Sequence, residues 1–196
     1  MTKTNQQKVK DFLINNGVII VMFILVIYTG FTSDNFFTKN NFMNILMNMS
    51  SRLVIALGIA GAIVLTGTDI SAGRCVGLTA CIAASLLQMS GYANKIFPNI
   101  GVTPLWLVLL AVIAVGAAIG FVNGFFVAKF KLHPFIVTLS TQLIVFGLVL
   151  MYLMIGGNNG QTLSGLDSSY TNLVRGTLFK IGGVSVPKYV LYSIIL

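Results

Sequence analysis

PLWLVLLAVIAVGAAIGFVNGFFVA, residues Pro104 to Ala128, runs for 25 residues without a charge before Lys129 ends it. As a helix it rises about 37 Å, enough to cross roughly 30 Å of bilayer hydrocarbon. Comparable apolar stretches lie at Gly17–Phe31, Ser51–Gly67, Gly73–Met89 and Phe135–Gly156. Phe42, Ile45, Leu46 and Met49 fall at helical spacing between asparagines, which predicts a lead-in at the membrane surface before the second span. A shorter apolar run opens at Lys188 and reaches only Leu196. Such lengths suit helices, whereas membrane β-strands alternate polar and apolar over about ten residues. The expected fold class is an all-α integral membrane protein: a polytopic bundle of five complete spans and the start of a sixth, in one domain over residues 1–196. Eight apolar residues rise about 12 Å, so the last run reads as half a span and the chain as part of a longer one.

Composition agrees. Charged residues are 8% of the chain, against about 25% in soluble domains, so there is too little charge to cover a water-exposed surface. The net charge of +8 is spread over connections, with no basic run longer than Lys-x-Lys; it points to lipid rather than nucleic acid as the partner. Lys3, Lys8 and Lys10 precede the first span, and Lys129 and Lys131 follow the fourth. Basic residues in short loops mark the cytoplasmic side, which places the loop from Asn158 to Pro187 outside. Within that loop, Phe179 to Val186 reads as a hairpin turning at Gly182-Gly183. The first apolar run lacks a small-x-small cleavage pattern after it, so it is read as a retained span rather than a signal peptide.

One break is unlike the other connections. Thr66 to Gly77 reads TGTDISAGRCVG, with an acid and a base five residues apart among three glycines. Charge near membrane depth costs about 2.5–3.5 kcal/mol at the centre of a span and marks a pathway, a pivot or a pair. Gly67, Asp69, Ser71, Gly73 and Arg74 are the candidate transport motif. Asp69 or Ser71 can cap the following helix, with Asp69 paired to Arg74; the same run can equally be a mobile element of transport.

Elsewhere, Gly116, Gly120 and Gly124 repeat every fourth residue, as do Gly73, Gly77, Cys81 and Ser85. Such small-residue stripes let helix backbones approach closely. Asn123 lies beside the first stripe, and Thr138, Thr141 and Gln142 share one face of the fifth span. These four either bond across helices or touch a hydroxyl-rich cargo. His133, the only histidine, precedes Pro134 and reads as an interfacial residue. Cys75 and Cys81, six apart in one run, point about 240° apart and read as small apolar residues. With no G-x-x-x-x-G-K-[ST] and four scattered acids, no cofactor, catalytic residue or metal site is expected. If transport is active, its energy comes from another subunit.

Gly67-Thr-Asp-Ile-Ser-Ala-Gly73, with Asn123-Gly124 and Pro134-Phe-Ile-Val-Thr-Leu139, resembles the permease subunits of bacterial ABC importers for simple sugars, the ribose, xylose and galactose group. Gly73-Arg-Cys-Val-Gly-Leu78 and Ala93-Asn-Lys-Ile-Phe-Pro98 look most like its galactose/methyl galactoside branch. Ile70 stands where leucine is commoner. The resemblance covers essentially the whole chain. It implies a permease of about ten helices, each crossing as about 20 apolar residues, of which these would be the N-terminal part. It also implies a bacterial cytoplasmic membrane, a second permease subunit, an ABC ATPase subunit inside and a soluble sugar-binding protein outside. Other cargoes, or a passive channel or scaffold without an ATPase, are the rival expectations.

Overall fold

A computed structural model describes residues 5–64, 67–181 and 184–195. Its helices are α1 (Asn5–Asn15), α2 (Gly17–Thr32), α3 (Lys39–Val64), α4 (Ala72–Leu86), α5 (Leu105–Phe130), α6 (Pro134–Leu153), α7 (Ser168–Arg175) and α8 (Lys188–Ile195). Strands β1 (Thr177–Ile181) and β2 (Val184–Pro187) form an antiparallel hairpin between α7 and α8. The hairpin expected from Phe179 onward is present, while its Gly182-Gly183 turn lies outside the described residues.

Among the described residues, α3, α5 and α6 are long and apolar enough to cross a membrane; α2 and α4 are apolar but shorter. Each shortfall has a local cause. The backbone ladder carries on from α1 into α2 across Asn16, whose N–H bonds to the Phe12 carbonyl and whose carbonyl accepts from Ile20. No residue of α2 is buried, so its apolar surface is unpartnered within this chain. α4 is short because the residues before it, 67–70, are not helical.

The largest departure from the expected boundaries is α3. The lead-in at Phe42–Met49 and the second span are one continuous helix. The polar residues that suggested a surface segment are accommodated on it: Asn48 Nδ2 donates to the Asn44 carbonyl at 2.9 Å and Ser50 Oγ to the Leu46 carbonyl at 2.8 Å. Side chains that bond back to their own helix do not stop it. Arg52 consequently falls near the middle of α3 rather than at the start of a span.

α4, α5 and α6 pack as a three-helix group, with Leu78, Val108, Val137 and Val145 buried between them. A second core joins α3 to the hairpin and α8 through Met43, Val186 and Val190, with Leu46, Met47 and Tyr189 against it. The link between α5 and α6 is tight. Lys131 takes a left-handed conformation (φ 51°) at the end of α5, and Pro134 opens α6, where its missing N–H costs nothing. His133 caps that helix, its Nδ1 accepting from the Phe135 N–H at 3.4 Å.

The opposite end of the three-helix group is closed by two connections packed on each other, residues 88–103 and 154–167. Gln88 is fully buried: its Nε2 donates to the Ser164 carbonyl and its Oε1 accepts from the Ile96 N–H. Asn158, 1% exposed, donates to the Leu153 and Gln161 carbonyls at 3.0 and 2.7 Å. Gly156 sits at φ +67° against the Ile96 carbonyl oxygen, a place no side chain can occupy.

Candidate functional site

The break before α4 lies between the C-terminal end of α5 and the N-terminal end of α6. Gly67 N–H bonds to the Ala62 carbonyl at 3.0 Å, and the position of its missing Cβ is 3.8 Å from Pro134. Measured back from the ends of α5 and α6, Asn123 and Thr141 are each seven residues in, about 10 Å along the helix. Residues 68–70, which with Ser71 bond to this level, therefore carry non-helical backbone inside the bundle. Backbone of that kind is tolerated at membrane depth only where protein or water satisfies it.

Here protein does so. Thr138 Oγ1 donates to the Thr68 carbonyl at 3.1 Å and accepts from the Ile70 N–H at 3.3 Å, so one hydroxyl serves two otherwise orphaned backbone groups. Asp69 Oδ1 accepts from the Ser71 N–H at 2.9 Å and from Ser71 Oγ at 2.6 Å. Ser71, with no exposed surface, accepts in turn from Asn123 Nδ2 at 3.0 Å, and Asn123 Oδ1 accepts from Thr141 Oγ1 at 2.6 Å. Every donor along Thr141, Asn123, Ser71 and Asp69 points the same way and the chain ends on a carboxylate. Aligned hydrogen bonds polarise one another, and the low dielectric between helices strengthens each.

The motif and most of the polar residues picked out from the sequence are thus brought together: Asp69 and Ser71 with Asn123, Thr138 and Thr141. Two expectations are corrected. Asp69 and Arg74 do not pair; the carboxylate is turned onto Ser71, and the Arg74 guanidinium lies 4.3 Å from the centroid of the Phe146 ring, a cation–π contact between α4 and α6. Neither capping candidate bonds an amide of the first turn of α4: Ser71 stands at the cap position, but its hydroxyl donates to Asp69 and accepts from Asn123, and Asp69 accepts only from the N–H and hydroxyl of Ser71. Of the small-residue stripes, Ser85 of α4 is buried against Tyr152 of α6, while a Cβ at Gly73, Gly77, Gly116, Gly120 or Gly124 would meet no atom of the described residues within 4 Å. Gln142, one turn beyond Thr138, stands apart from the network, and its Oε1 is buried without a hydrogen-bond partner.

The sequence reading missed the tie between the C-terminal ends of α4 and α6, where Ser85 Oγ and Tyr152 Oη are 2.5 Å apart. It also missed the buried amides of Gln88 and Asn158. A hydroxyl and a tyrosine near the far ends of two neighbouring spans were the available signal. The two cysteines are free, in line with the 240° offset. Among the described residues no cluster of His, Cys, Asp or Glu could hold a metal ion.

Comparison with known proteins gives a consistent picture. The chain is 41% identical over 176 residues to the galactose/methyl galactoside import permease of Escherichia coli K12, covering 90% of this chain and 52% of the relative. The Haemophilus influenzae protein of that name is 37% identical over 195 residues, covering the whole of this chain and 57% of the relative. The ribose import permease of E. coli K12 is 34% identical over 143 residues, 73% of this chain and 41% of the relative. The chain therefore spans about half the length of the curated relatives it matches. No solved structure matches it. The three long apolar helices and these permease relatives make it a multi-pass protein of the bacterial inner membrane. A family model described as the branched-chain amino acid transport system / permease component matches residues 41–195, and the chain belongs to that family.

Proposed function

We propose that this chain forms part of the membrane permease of an ABC importer for galactose or methyl galactosides. The observation that carries the reading is the 41% identity over 90% of the chain to a permease of that name. The ribose permeases are less similar, at 34% over 73% of the chain, which favours galactosides over ribose. Like the permeases it resembles, the chain acts as a translocation unit, and ATP hydrolysis belongs to a separate ATPase subunit. A soluble sugar-binding protein delivers cargo from outside, and a second permease subunit completes the path.

In this reading residues 1–196 form one permease domain with five complete spans and the start of a sixth. α2 crosses with help from the end of α1, and α4 crosses together with residues 67–71. The interrupted entry to α4 is then a pivot rather than a sugar-contacting surface. Asn123, Thr138 and Thr141 are occupied holding residues 68–71, so they set the position of α4. Gln142, which has a free acceptor, is the member of that face left to contact cargo. Helix breaks that line a transport path are a recurring device in membrane transporters.

The test is uptake of radiolabelled methyl β-galactoside and of ribose, in cells deleted for the full-length permease and in the same cells complemented. Galactoside uptake is expected to fall to background and return on complementation, while ribose uptake is unchanged. Loss of ribose uptake with galactoside uptake intact would overturn the assignment.

A further inference from the structure

α3 carries a polar stripe that the interrupted-helix account leaves unused. Asn44, Asn48 and Ser51 follow one another at i, i+4 and i+7, one face of a helix, and all three side chains are exposed. The neighbouring face, with Met43 and Ser50, is buried against the hairpin and α8. Amides and hydroxyls on a spanning helix are costly against acyl chains, and they turn toward the protein interior or a water-filled cavity.

The stripe borders such a space. A cleft of about 760 Å³ is lined by Asn48 and Ser51 of α3, Tyr170 and Arg175 of α7, and Tyr189 and Tyr192 of α8. A second cleft, of about 590 Å³, shares Asn48, Arg175 and Tyr189 with it and extends it to Asn44. Volumes of about 300–1,000 Å³ are those of small-molecule sites. The walls are held in place. The Met43–Val186–Val190 core fixes α3 to β2 and α8 behind the cleft, and Tyr192 Oη donates to the Leu173 carbonyl of α7 at 3.4 Å. α7 and the start of α8 follow the connection at the end of the bundle away from Pro134, the outer end by the charge rule.

The lining has a definite chemistry. Three tyrosines offer flat apolar faces with polar edges, suited to the C–H face of a pyranose ring and its hydroxyls. With their hydrogens bonded back to the helix, Asn48 and Ser51 present acceptors and the second amide N–H of Asn48, Arg175 donates in a fixed fork, and Val54, Leu163 and Leu166 add apolar wall. No carboxylate lines either cleft, so no cation is called for, and one guanidinium among neutral groups does not single out an anion.

We propose that this cleft between α3, α7 and α8 is an outer sugar subsite, holding a neutral monosaccharide between tyrosine faces and the α3 stripe before it crosses. The inference rests on the sugar-import reading. It is tested in the intact permease, in right-side-out membrane vesicles, with Ser51→Cys or Asn48→Cys placed in a parent lacking Cys75 and Cys81. The readout is the rate of labelling by a membrane-impermeant maleimide. Both cysteines are expected to label from outside, several-fold more slowly with D-galactose present and at an unchanged rate with gluconate. Tyr189→Leu added to either variant is expected to abolish the protection. Absence of labelling in folded protein, labelling that galactose leaves unchanged, or equal protection by gluconate would each overturn the subsite. Methyl galactoside uptake by the parent separates the two claims: uptake with unprotected cysteines sinks the subsite alone, and absence of uptake sinks the import reading.

Discussion

At the scale of single residues, Asn123 does the most with the least. Its amide bridges a hydroxyl on either side, Ser71 at 3.0 Å and Thr141 at 2.6 Å. Asn123→Leu removes the acceptor of the part-buried Thr141 hydroxyl and the donor to Ser71, whose own bond to Asp69 remains, at about 1–3 kcal/mol for a group left unsatisfied. A clear fall in the melting temperature of the detergent-purified permease is expected; an unchanged melt would show that the bridge contributes nothing. Asp69→Asn is a milder change, because an asparagine oxygen still accepts from the Ser71 N–H and hydroxyl. Since Arg74 rests on Phe146 rather than on Asp69, the two sites are independent. The stability changes of Asp69→Asn and Arg74→Gln are expected to add to within about 0.5 kcal/mol in the double variant. Recovery of stability in the double variant would restore the ion pair that charge spacing alone suggested.

Among the elements, the non-helical entry to α4 depends on α6 through one hydroxyl. Thr138→Val keeps the shape and removes both bonds, to the Thr68 carbonyl and from the Ile70 N–H. Faster hydrogen exchange at the Ile70 amide is expected, with the amides in the middle of α6 unaffected; unaltered exchange at Ile70 would mean the segment is held by other means. At the outer end, Gly156→Ala drives a methyl group into the Ile96 carbonyl at a left-handed backbone position. It is expected to lower thermal stability more than Gly120→Ala, whose new Cβ meets nothing. The reverse order would contradict the packing of the two outer connections. Three of the five expected spans, those that became α3, α5 and α6, were legible because lipid leaves few options: an apolar run near 20 residues long has to be helix. The motif was legible as a break, from glycines and charge between apolar runs. Its partners were not, since Ser71 and Asn123 are 52 residues apart and Thr68 and Thr138 are 70 apart, and no local pattern links them. α3 was cut in two on paper because asparagines suggest a membrane surface, although each can bond back to its own helix. The glycine repeats are the converse case, a close-approach pattern whose glycines meet no neighbour among the described residues.

For the whole molecule, the account requires two dissimilar ends. One end holds the tight α5–α6 turn and the interrupted entry to α4. The other holds the interlocked connections 88–103 and 154–167, with α7 and the hairpin beyond. In the proposed reading, Lys129 and Lys131 at the end of α5 and the lysines before α2 put the first of these in the cytoplasm. The pivot then sits where a cytoplasmic ATPase can act on it, and the tyrosine-lined cleft sits where an external binding protein can deliver sugar. Both proposals fail together if the orientation is reversed. The most direct measurement is therefore labelling by an impermeant thiol reagent, applied to intact cells and then to opened ones, at Lys131→Cys and at Ser169→Cys in a permease lacking Cys75 and Cys81. The account predicts that position 169 is labelled in intact cells and position 131 only after the cells are opened. Labelling of position 131 from outside, with 169 protected, would contradict it.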